Sequence, residues 1–185
     1  NRGADINEVD KKGWTPIMYA AYSNPNADVI KSLCTKGANL KTRALLDNYH
    51  DRTAILLAAQ FNNIDVIRAL VEAGADVNDK DNRGFLHDET VLMIAAETQK
   101  DPEVIKLLVK AGANLNAVTD TFEMNALMFA CRENSNPDII TTILDLGSDI
   151  NGRDSLGRTP LMWAGRNNLE VLKVLINRGA KVDDW

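Results

Sequence analysis

Both histidines of the chain stand beside an aspartate, and each pair leads into a threonine: His50-Asp51 before Thr53 and His87-Asp88 before Thr90. Imidazole nitrogens and carboxylate oxygens are the donors of a zinc-type site. If the two segments lie side by side, at the roughly 10 Å spacing of packed helices, two imidazoles and two carboxylates could share one ion. The competing reading is turn chemistry. Aspartate ahead of a helix start is favoured by capping and by the helix dipole, and no dense His-x-x-x-His spacing is present. Turn chemistry is the reading adopted, with no metal and no cofactor expected.

Cys34 and Cys131 lack a neighbouring histidine that would make a thiolate, and two cysteines are too few for a disulfide scaffold. No phosphate loop, Gly-x-Ser-x-Gly elbow or dinucleotide fingerprint appears, and the carboxylates are scattered, so no catalysis is expected. The chain has 185 residues, 45% apolar and 25% charged, an ordinary globular balance. Lysine and arginine number 21 against 26 acids, a net charge of −5. That disfavours nucleic acid and anionic membrane surfaces as partners. No apolar stretch approaches the ~20 residues of a membrane-spanning helix, so no membrane insertion is expected.

The elements that position these residues recur. Thr15-Pro-Ile-Met-Tyr-Ala-Ala21 is echoed by segments starting at Thr53, Thr90, Asn125 and Thr159. A second motif keeps step: Gly37-Ala-Asn-Leu40, with counterparts at Gly74, Gly112, Gly147 and Gly179, and an extra copy, Gly3-Ala-Asp-Ile-Asn7, at the start. Successive glycines are 34, 37, 38, 35 and 32 residues apart. Each Thr or Asn is a good N-cap, and Pro16 and Pro160 fit the first helical position. Apolar pairs such as Val66, Ile67, Leu70 and Val71 then mark one face of a second helix. The glycine after it fits the left-handed position that ends a helix.

Two short helices and a hairpin, repeated, resemble the ankyrin repeat, whose signature reads Thr-Pro-Leu-His-x-Ala. The resemblance runs from residue 3 to 185 and implies an all-α repeat solenoid of helix-turn-helix units joined by β-hairpin loops. It makes residues 1–185 a single domain. Residues 1–10 are the tail of a preceding repeat, and five repeats span 11–43, 44–80, 81–118, 119–152 and 153–185. The usual histidine, which joins neighbouring repeats in the family, is replaced by Met18, Leu56, Met93, Met128 and Met162. Coupling between repeats is therefore expected to rest more on burial. The two hairpins that carry the His–Asp pairs are four residues longer than the family form.

The resemblance implies a protein-binding module that meets a partner through its concave face and hairpin tips. An alternative is a regulatory or scaffolding segment of a larger, perhaps enzymatic, polypeptide. Carried over position by position, the contact residues are Trp14, Tyr22, Tyr49, Arg52, Phe61, Phe85, Arg132 and Arg166. Aromatic and arginine side chains are the common anchors of interfaces. Gln60, Glu97, Met124 and Arg158 fall at neighbouring positions, whereas Tyr19, Phe129 and Trp163, inside the first helices, are expected in the core. The last repeat is as apolar as the inner ones. Helices before Asn1, and a cover over repeat 5 from more chain or from self-association, are therefore expected; Trp185 folding back as a cap is the alternative.

Overall fold

The computed structural model describes residues 3–45, 51–81, 88–166 and 169–182. Tyr49, Phe85, His50, His87 and Trp185 lie outside them. Ten helices stand among the described residues, in five antiparallel pairs. The first helices are α1 (Pro16–Ser23), α3 (Ala54–Phe61), α5 (Val91–Thr98), α7 (Ala126–Glu133) and α9 (Pro160–Ala164). The second helices are α2 (Ala27–Thr35), α4 (Ile64–Glu72), α6 (Pro102–Lys110), α8 (Pro137–Asp145) and α10 (Leu169–Asn177). First helices pack on first helices and second on second, which makes two layers.

The layers differ because their sequences do. Residues 54–59, 91–96 and 126–131 are buried on every side, so the middle first helices are apolar all round. Their alanines let neighbouring backbones approach. The second helices bury only a stripe, such as Val66, Ile67, Ala69 and Leu70 of α4. Each second helix ends at its glycine, and Gly37, Gly74, Gly112, Gly147 and Gly179 all have φ between 87° and 100°. A side chain there would cost about 1–2 kcal/mol.

Three of the five expected caps form through the side chain: Thr90, Asn125 and Thr159 accept from Met93, Met128 and Met162 N–H. Thr53 instead donates to Asp79 at 2.6 Å. In repeats 1 and 3 the methionine that replaces the family histidine takes part, because the Thr15 and Thr90 N–H groups point at Met18 and Met93 Sδ at 3.5 and 3.4 Å. Met18, Leu56, Met93 and Met128 are core residues as expected, but Met162 is 40% exposed. Among the described residues no further first helix follows α9 to cover it.

Beside burial, hydrogen bonds also couple the repeats. A ladder of amides between the helices supplies hydrogen bonds from another position. Asn62 Nδ2 donates to Ala21 O at 2.9 Å and Asn24 O at 3.1 Å. Gln99 Nε2 donates to Ala59 O and Asn62 O, and Asn134 Nδ2 to Ala96 O and Gln99 O. These carbonyls lie at the ends of the helices of the preceding repeat, where the helix itself supplies no donor. Between the repeats the chain runs in turns, and among the described residues the only β pairing is an isolated Lys80–Thr90 bridge.

Candidate functional site

The residue just past the two small residues of each first helix forms a row across the layer: Tyr22, Gln60, Glu97, Arg132 and Arg166. One end of the row is aromatic. Phe61, 41% exposed, meets Tyr22 edge-on with ring centroids 4.8 Å apart. Tyr22 in turn meets Trp14 edge-on at 5.5 Å. T-shaped pairs of this kind add about 0.5–1.5 kcal/mol beyond burial and fix ring orientation.

Trp14 is only 5% exposed, so its expected place as a contact residue is corrected. It is the floor on which Tyr22 and Tyr19 rest. Its neighbour reverses the other way: Tyr19, expected in the core, is 49% exposed and donates its hydroxyl to Asp10 Oδ2 at 2.7 Å. The Trp14 N–H and that hydroxyl hold the Asp10 carboxyl below its ordinary range. The equivalents of Tyr19 in later repeats, Leu57, Ile94, Phe129 and Trp163, are buried against the preceding repeat.

Arg52 is corrected too. Its side chain is 2% exposed and donates to buried Asp81 through Nε at 3.1 Å and Nη2 at 2.9 Å, and its Nη1 to Gln60. It ties α3 to the loop after α4 and presents nothing to a partner. Met124 is likewise buried. Arg43, which sequence reasoning passed over, serves a similar end: it donates to Asp51 O at 2.6 Å and Lys80 O at 3.2 Å, and pairs with Asp79. The only sequence signal for it is a basic residue inside an unusually long loop.

The other end of the row is cationic and aromatic. The Arg132 guanidinium lies 4.8 Å from the Phe129 ring centroid and pairs with Glu97 at 3.3 Å. Arg158 lies 4.0 Å over Trp163, and both donate to buried Asp154. Such stacking holds a guanidinium in place. Arg166 is exposed. In the middle, burial raises the Glu97 carboxyl above its ordinary value, while Arg132 works against the shift.

Of the aspartates of the two His–Asp pairs, one shapes its own turn and the other reaches the next repeat. Asp51 takes φ 65° two residues before the Thr53 cap, where repeats 1 and 5 use Gly13 and Gly157. Asp88 accepts the Asp120 N–H. Among the described residues no group of three or more His, Cys, Asp or Glu could hold a metal. Both cysteines are free, and burial pushes each thiol up.

A family model described as ankyrin repeats (3 copies) matches residues 2–81 and 92–184, and one described as ankyrin repeats (many copies) matches 55–109. The human ankyrin repeat and SOCS box protein 6 is 31% identical over 91 residues, 45% of this chain and 22% of the relative. The putative ankyrin repeat protein L271 of Acanthamoeba polyphaga mimivirus is 42% identical over 71 residues, 38% of this chain and 10% of the relative. The chain thus spans under a quarter of the curated relatives it matches. Among solved structures, it is similar to a chain in the complex of the Bd0816 predatory endopeptidase of Bdellovibrio bacteriovorus with immunity protein Bd3460. The TM-score is 0.78 and the identity 26%, over 96% of this chain and 87% of that one.

Proposed function

The chain belongs to the ankyrin repeat family, and from that premise we propose that its row of first-helix ends is a recognition surface for a protein partner. Ankyrin repeats generally mediate protein–protein interaction. The observation that carries the reading is the braced Phe61: a large apolar side chain, two-fifths exposed, locked in one orientation by Tyr22 above a buried Trp14. An aromatic held rigid before binding loses little entropy on contact, which is what an interface anchor needs. Arg132 and Arg166 lie at the far end of the same row and suit carboxylates or backbone carbonyls of the partner. The module works by shape and burial and performs no catalysis of its own.

Capture from extract of the source cells tests this. The wild-type chain is compared with a Phe61→Ala, Arg166→Ala variant, neither residue being needed by the core. The expected result is loss of the captured protein with circular dichroism unchanged and the melting temperature lowered by no more than about 6 °C. Equal capture by the variant would sink the reading. A second reading makes this segment the recognition part of a larger polypeptide; it is favoured by the small share of the curated relatives that the chain covers.

A further inference from the structure

A side-chain amide fastens several loops of this array to their neighbours, from the same place in the motif. Asn7, before α1, donates Nδ2–H to Gly37 O at 3.1 Å and accepts the Asn39 N–H at 2.7 Å. Asn78, between α4 and α5, does the same to Gly112 O and Asn114 N–H at 3.0 and 2.8 Å. Asn151, between α8 and α9, accepts the Lys181 N–H at 3.0 Å. For Asn7 and Asn78 the target is the helix-ending glycine carbonyl and the N–H two residues later, for Asn151 the second of these alone, and each amide stands four residues after the preceding glycine.

Between the loops α2–α3 and α4–α5 that amide position is Lys41, whose ammonium donates but cannot accept. The corresponding target, Gly74 O and Asp76 N–H, has no partner among the described residues, and both residues are exposed. The pair opens onto a cleft of about 600 Å³ walled by Leu40, Lys41, Arg43 and Ile55. Between the loops α6–α7 and α8–α9 the chain carries an amide at this position, Asn116, although among the described residues it makes no such bond. The Lys41 position is thus where the amide is missing from the sequence itself.

We propose that this cleft binds a primary carboxamide, the side chain of an asparagine presented by a protein partner. Its Nδ2–H reaches Gly74 O and its Oδ1 takes the Asp76 N–H, while Leu40 and Ile55 cover the methylene. The slot discriminates by chemistry. A carboxylate accepts but cannot donate to Gly74 O, and the acids Asp76 and Asp79 offset what Lys41 and Arg43 would offer it; a guanidinium or ammonium donates but cannot accept. Only the identification of the partner as a protein rests on the function proposed above; amide recognition stands on the loop geometry.

The test is an NMR titration of the ¹⁵N-labelled chain with N-acetyl-asparagine methylamide, with the matching aspartate and alanine compounds as controls. Two hydrogen bonds suit an affinity in the millimolar range. The expected result is a saturable shift of the Asp76 amide signal, at affinity roughly threefold or more above either control. The shift persists in Lys41→Ala and disappears in Lys41→Asn, which fills the slot from within and raises the melting temperature. A shift that does not saturate, one equal for all three compounds, or one unaltered by Lys41→Asn overturns the proposal. None of these outcomes bears on the capture experiment with Phe61 and Arg166, so the two readings fail separately.

Discussion

Arg52 and Asp81 form an ion pair with neither partner open to water: two guanidinium nitrogens converge on one carboxylate oxygen, and the side chains are 2% and 0% exposed. Such a pair is costly to break from one side, because the remaining charge keeps its desolvation without its partner. Arg52→Met should therefore destabilise the chain by about 3–5 kcal/mol. Arg52→Met with Asp81→Asn should recover most of that loss, read as the denaturant midpoint. A single variant as stable as wild type would show that water reaches Asp81.

Trp14 and Phe61 touch the same tyrosine yet should separate in a stability assay. Trp14→Ala removes a buried ring and should cost about 3–5 kcal/mol. Phe61→Ala removes one that water already reaches and should cost less than about 1.5 kcal/mol. Thermal melts of both variants check this; equal losses would mean that Phe61 is part of the core.

Glu123 stands at φ 54°, exposed, at the position that Gly13 and Gly157 occupy in repeats 1 and 5. A left-handed backbone is strained for a residue with a Cβ, whereas glycine adopts it freely. Glu123→Gly should stabilise the chain by about 0.5–1 kcal/mol after the greater freedom of unfolded glycine is subtracted. Urea unfolding measures it, and a destabilised variant would contradict the assigned turn.

Glu97 gives a pH signature of unusual sign. Its folded pKa lies above the unfolded value, chiefly through burial, so the folded chain binds more protons than the unfolded one in the window between them. Its contribution is fully present below the unfolded value of 4.5 and is lost as pH rises through the folded one. Wild type minus Glu97→Gln stability should therefore decline from pH 4 towards neutrality. A difference that stays flat or climbs would mean that the pairing with Arg132 outweighs burial.

Much of the architecture can be read without coordinates, because it follows from local rules repeated in register. Helix-ending glycines need φ above zero wherever they occur, and the caps and apolar stripes recur at fixed distance from them. What escapes is what depends on a neighbour. Tyr19 and Phe129 hold the same place in the motif, yet one is exposed and the other buried, since that face looks towards the preceding repeat. Met128 and Met162 differ because, among the described residues, a further first helix follows only that of Met128. At the candidate site, Phe61 and Arg166 are legible as exposed residues. Arg52 is not, because its partner lies 29 residues away in a loop whose path the motif does not dictate.

The loops α2–α3 and α4–α5, which share no amide clamp, are held instead by charge. Arg43 pairs with Asp79 across them, and its side chain is 37% exposed. Dissolved ions weaken such a bond, whereas the neutral clamps of Asn7 and Asn78 are indifferent to them. Exposed pairs cross other seams as well, Lys80–Asp120 and Arg178–Asp145 among them, so ionic strength acts wherever charge joins two repeats. Beside Lys41 no amide clamp stands behind the exposed pair, so raising salt leaves that seam to its buried Arg52–Asp81 pair, and the local looseness of this protein is set by its electrolyte as well as by its sequence.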